Sequence, residues 1–187
     1  MKDNVRVLFD EAVLAARTTA IAREIAATPL ENLLVIAVLR GSFVFAADLI
    51  RALHHAGMSP HIEFIQLSSY KAATVSSGTV DVVRDIDSDV RGRDVILIDD
   101  ILESGRTLAF ARNLLLERGA RSVRACVLLD KKDKRAVDFE ADFVGFDCPD
   151  LFVVGYGMDA AHSFRELPFV GVVEHSSSKP SDDPGRI

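Results

Sequence analysis

The chain alternates short apolar runs with stretches of helical period. From Asp10 to about Thr28 the apolar residues recur at helical spacing, with Leu14, Ile21 and Ile25 on one face, and Pro29 ends the segment. Leu33–Leu39 (LLVIAVL) is an unbroken apolar run, as expected of a parallel strand covered on both faces. Arg40-Gly41-Ser42 reads as a turn, with Ser42 capping a helix over Phe43–His55 that Gly57 and Pro60 stop. His61–Leu67 is the next strand. Val95–Ile98 is another, followed by the string DDILESGRT, and a helix fits Leu108–Arg118 as far as Gly119. Val123–Leu129 reads as a strand, Phe143–Phe146 and Phe152–Gly155 as short ones, and Val170–Val173 as an edge strand. This alternation predicts an open, mostly parallel α/β sheet, whose ligands sit at the carboxyl ends of the strands.

Two stretches break the pattern. Ser68–Thr79 (SSYKAATVSSGT) is polar, small and without period, and its length suits a lid over a site. The end, SSSKPSDDPGRI, reads as a flexible tail over 176–187, which leaves a single domain over 1–175.

Composition narrows the class. A length of 187 residues suits one domain with a real core. A net charge of −6 argues against a general nucleic-acid binder or a protein of anionic membranes. Cys126 and Cys148 cannot build a disulfide framework, no apolar run is long enough for a membrane helix, and the start lacks the apolar core of a secretory signal. A cytoplasmic protein is expected.

The densest candidate chemistry lies in Val95–Leu108 (VILIDDILESGRTL). A buried strand runs into Asp99 and Asp100, and a short loop with Ser104, Gly105 and Thr107 precedes a helix. Free N–H groups at a helix start attract anions, and glycine lets a phosphate approach. Carboxylates suit sugar hydroxyls, or magnesium held partly through water. The combination suggests a sugar phosphate. The Walker pattern G-x-x-x-x-G-K-[ST] is absent.

This segment resembles the phosphoribosyl-pyrophosphate motif of type I phosphoribosyltransferases. Three others, Val38–Leu49 (VLRGSFVFAADL), Phe64–Gly78 (FIQLSSYKAATVSSG) and Asp142–Val172, resemble the hypoxanthine–guanine branch in order and spacing. The resemblance implies a twisted, mostly parallel sheet flanked by helices, with a small hood and a mobile loop. It implies purine salvage: transfer of ribose 5-phosphate from phosphoribosyl pyrophosphate to a purine base, giving a nucleoside monophosphate and pyrophosphate, with magnesium. It also implies roles. Asp99 and Asp100 hold the ribose hydroxyls and the metal's waters; Ser104, Gly105, Arg106 and Thr107 cradle the 5-phosphate. Arg40 and Gly41 form the pyrophosphate loop, where the peptide before the basic residue is often cis. Ser69 and Tyr70 belong to the closing loop. Phe152 stacks on the purine, Val153 meets its edge through the backbone, Asp159 holds magnesium through water, and Arg165 binds pyrophosphate. A homodimer or homotetramer is expected.

Three positions depart from the family pattern. Glu103 stands where the general base is usually Asp, and Arg40 where the pyrophosphate loop usually has Lys. Glu140 falls where a Lys commonly recognises the purine's 6-oxo group. That leaves three possibilities: Lys131, Lys132 or Lys134 reaches in, backbone and water serve, or the base differs. The run KKDKR at Lys131–Arg135 reads as a solvated turn. The rival functions are a transferase with another base preference, and a phosphoribosyltransferase-like RNA-binding regulator with little activity.

Overall fold

A computed structural model describes residues 4–69 and 80–174. Strand β1 (Asn4–Phe9) leads into helix α1 (Glu11–Ala26). The Asp10 carboxylate caps α1 by accepting from Val13 N–H at 2.8 Å. Strand β2 (Leu34–Leu39) and helix α2 (Phe43–His55) follow, then strands β3 (His61–Ser69) and β4 (Val80–Arg84). Strand β5 (Asp94–Leu102) leads to helix α3 (Arg106–Glu117) and strand β6 (Ser122–Asp130). A 3-10 turn at Lys132–Lys134 precedes β7 (Phe143–Asp147), β8 (Val153–Val154) and β9 (Val170–Glu174).

The main sheet has the order β4-β3-β2-β5-β6-β7, parallel except for the β3–β4 pair. Its apolar runs are continuous because both faces are covered. In β2, Leu34, Ile36 and Val38 join the core under α3, while Val35 and Ala37 join the core under α1 and α2. Strand β5 divides in the same way, with Val95 and Leu97 on one face and Ile96 and Ile98 on the other. The chain works outward from β2 to β4 and then returns to β5 beside β2. This reversal opens a crevice at the carboxyl ends of β2 and β5. A small antiparallel sheet, β1-β9-β8, forms the hood. No described helix is long and apolar enough to cross a membrane.

Several local expectations need correction. Strand β5 does not end at Ile98; it pairs with β6 as far as Leu102 opposite Asp130, so both acids lie on a strand. Ser42 sits at the start of α2 in helical conformation and bonds no helix N–H; its hydroxyl donates back to Val38 O at 2.5 Å. The segment Val170–Glu174 is the central strand of the hood, not an edge. The short strand Val153–Val154 excludes Phe152 and Gly155. Strands β1 and β4 have no clear signal in the sequence pattern. The proposed lid beyond Ser69 and the tail fall outside the described residues.

Candidate active site

The crevice between β2 and β5 holds the acidic pair. Asp99 is 9% exposed, and its Oδ1 accepts the Asp100 N–H at 3.0 Å. Burial, then the neighbouring Asp100 charge, pushes the Asp99 carboxyl well above the usual range. Burial also raises Asp100. No described Lys or Arg side chain forms an ion pair with either. Gly41 closes one wall: a Cβ there would stand 1.8 Å from Asp100 Oδ2. The peptide between Leu39 and Arg40 is cis, as the resemblance implies. Arg40 itself is exposed.

After Leu102 the chain turns through Glu103, Ser104 and Gly105 into α3. Gly105 has φ +79°, and an added Cβ would meet Phe139 Cβ and a Val137 methyl at 3.1 Å. Ser104, Gly105 and Thr107 face a cavity of about 490 Å³ that also contains Asp99 and Asp100. Arg106 is exposed on the first turn of α3 and does not line it.

The opposite wall carries Phe152, Val153 and Asp159. Phe152 is 63% exposed, an aromatic face open to the cavity rather than a core side chain. Val153 is buried and pairs with Val172 in the hood. Asp159 Oδ2 accepts the His162 N–H at 2.8 Å, and Oδ1 pairs with Arg165 at 2.6 Å. Arg165 also donates to Gly157 O at 2.6 Å and faces the neighbouring cavity by α1 and α2. Its ion pair with Asp159 joins it to the first cavity, and its charge also acts on Asp100 there.

The solvated-turn reading of KKDKR fails for two of its residues. Lys132 and Lys134 do point outward, pairing with Asp147 and Asp150 at 2.8 Å each. The Lys131 side chain is 5% exposed and its Nζ bonds Glu103 Oε1 at 2.5 Å, inside the cavity. Arg135 is 18% exposed and pairs with buried Asp130. The corner after β6 turns its first and last cations inward and the two between them outward, which a count of charges does not reveal. Glu140 is exposed and outside the cavity. The Ser69 side chain and Tyr70 fall outside the described residues.

An acidic pair at the β2–β5 switch point, a loop opening α3 and the residues around the hood strand β8 thus line one cavity. The chain belongs to the phosphoribosyl transferase family, whose domain model matches residues 8–161. Within that family it is 42% identical to a hypoxanthine-guanine phosphoribosyltransferase of Aquifex aeolicus over 172 residues, covering 91% of this chain and 95% of that protein. It is 39% identical to the hypoxanthine phosphoribosyltransferase of Escherichia coli K12 over 176 residues, covering 92% and 97%. Among solved structures, it matches a hypoxanthine-guanine phosphoribosyltransferase of Bacillus anthracis with TM-score 0.85 and 41% identity, covering 91% of this chain and all of that one.

Proposed function

We propose that the protein transfers the 5-phosphoribosyl group of phosphoribosyl pyrophosphate to N9 of hypoxanthine or guanine, a purine-salvage reaction. The observation that supports this reading is that one cavity is lined by Asp99, Asp100, Ser104, Gly105 and Thr107 together with Phe152, Val153 and Asp159. The bond from ribose C1 to the pyrophosphate oxygen breaks, and its electron pair leaves with pyrophosphate. The N9–C1 bond forms, and the imidazole proton passes to Glu103.

Each residue has a task in that scheme. The Asp99 and Asp100 carboxylates accept from the ribose hydroxyls. The loop N–H groups and the Ser104 and Thr107 hydroxyls donate to the 5-phosphate. Arg40 and Arg165 approach the pyrophosphate, and Gly41 keeps its loop against Asp100. Phe152 stacks on the base, and the Val153 backbone meets its edge. Among the described residues no three acids stand close enough to ligate one ion directly, so Asp99 and Asp100, buried and without an ion-pair partner among the described residues, would hold a hard cation such as magnesium mainly through its waters, with Asp159 in a more distant water shell. Magnesium bound there together with the substrate would neutralise charge on the leaving pyrophosphate. The described core and the closed hydrogen-bond pairs around the site hold these donors in place before substrate arrives.

The Lys131–Glu103 pair sets base preference in this reading. A 6-oxopurine with a proton on N7 presents that N–H beside O6, and the pair presents a carboxylate beside an ammonium. Adenine places an amino donor where the oxo acceptor should be, against the ammonium. A pyrophosphate-release assay with hypoxanthine, guanine and adenine tests the scheme: the first two should react and adenine should not. Glu103→Gln should lower turnover about 10²–10⁴-fold with phosphoribosyl-pyrophosphate affinity retained. Unchanged single-turnover rates would remove Glu103 from the mechanism.

A further inference from the structure

The backbone carbonyls behind the phosphate loop are taken up from one side. Lys131 N–H donates to Leu102 O at 2.9 Å, and the N–H groups of Ala136 and Val137 donate to Ser104 O at 3.0 and 3.2 Å. Arg135 fills the space between them: its Nη1 donates to Glu103 O at 2.6 Å and to Leu102 O at 3.1 Å. Its Nη2 bonds the Asp130 carboxylate, a side chain only 6% exposed, so the guanidinium is fixed from both ends. The next carbonyl, Gly105 O, accepts from Ala109 N–H at 2.9 Å as α3 begins.

A trans peptide directs its N–H opposite to its C=O. With the carbonyls of Leu102, Glu103 and Ser104 drawn toward Arg135 and its neighbours, the N–H groups of Ser104 and Gly105 turn the other way. Among the described residues, no backbone carbonyl accepts from the N–H of Ser104, Gly105 or Thr107. Ser104, Gly105 and Thr107 all line the cavity.

We propose that Arg135 is a positioning residue for the sugar-phosphate substrate: by holding the Glu103 carbonyl away from the cavity, it aims the Ser104 N–H of the same peptide at the 5-phosphate, beside the Gly105 N–H that Ala136 and Val137 orient through the Ser104 carbonyl. This deepens the functional reading above and rests on it. Arg135 touches no substrate. A lysine in its place keeps the charge but loses the planar fork that spans both carbonyls and Asp130, and an alanine reaches none of them.

Ribose 5-phosphate binding by calorimetry and steady-state kinetics on the full chain test the proposal. In Arg135→Ala, the KM for phosphoribosyl pyrophosphate and the dissociation constant for ribose 5-phosphate should rise about tenfold or more, as small displacements of a binding loop typically allow, while the KM for hypoxanthine stays within about twofold. Arg135→Lys should fall between this variant and the parent. Millimolar guanidinium should restore affinity to Arg135→Ala and leave the parent unchanged. If Arg135→Ala does not fold, the Lys variant carries the comparison. Undiminished ribose 5-phosphate affinity in Arg135→Lys would overturn the proposal. So would a loss shared equally by both substrates and unmoved by guanidinium. If the parent itself fails to bind ribose 5-phosphate, the functional reading falls as well.

Discussion

Lys131, and not Glu140, reaches the cavity, where it is bound to Glu103. Lys131→Met keeps the stem and removes the ammonium. It should raise the KM for hypoxanthine about tenfold or more, because the purine oxygen and Glu103 both lose a charged partner. Glu140→Lys should leave the kinetics of hypoxanthine and guanine within about twofold, since a new cation there stays outside the site. Steady-state assays on both variants check this. Asp99 is costly to the fold in a different way. Burial and its neighbour's charge oppose its ionisation, so Asp99→Asn should raise the melting temperature of the metal-free protein while lowering turnover. Calorimetry beside a turnover assay shows both. At this scale the sequence names the acids and the loop hydroxyls, because their motif is continuous, and Phe152 only through the family resemblance. It hides Lys131 and Arg135, because five charged residues in a row carry no mark of which ones a tight corner buries.

Elements decide how closely those groups can be brought together. Strand β5 carries Asp99 and Asp100 out of the core on hydrogen-bonded backbone, and α3 starts only after Gly105. The apolar run ends at Ile98, so a pattern of hydrophobicity stops four residues before the ladder does. Gly105→Ala should weaken phosphoribosyl pyrophosphate about tenfold: positive φ costs a side chain about 1–2 kcal/mol, and the methyl group presses on Phe139 and Val137. Titration calorimetry measures it, with an unchanged far-UV spectrum as the control. The hood shows the opposite limit. Its strands β1 and β9 pair Asn4 with Glu174, at opposite ends of the described chain, and β8 has two residues. The local pattern marks β8 and β9 but not β1, and it cannot show that β9 is central, because that depends on the distant β1 pairing with it.

The whole molecule separates chemistry from support. The carboxyl edge of the main sheet bears the site, while the opposite edge bears a charged clasp. There Asp94, whose side chain is 4% exposed, accepts from Glu31 N–H at 2.7 Å and the Ser122 hydroxyl at 2.6 Å, and pairs with Arg121, which also bonds Glu31. The Arg121 guanidinium holds the Asp94 carboxyl well below the usual carboxylate range. A depressed acid stabilises the fold above its unfolded value and loses that contribution as pH falls through its lower folded one. Asp94→Asn should therefore lower the melting temperature at neutral pH, with the difference from the parent shrinking in strong acid. Thermal scans across pH decide.

The turn from α2 into β3 lies on that same quiet edge. Gly57 has φ +88°, and nothing stands within 4 Å of where a Cβ would be. A tag, a fluorescent reporter or a surface tether spliced between Gly57 and Pro60 would hang from the back of the sheet, and substrates would still enter freely from the front. The same splice after Leu39 or Leu102 would cut through the loops proposed above to hold the pyrophosphate and the 5-phosphate. The fold thus offers a handle for immobilising the enzyme with its mouth facing outward.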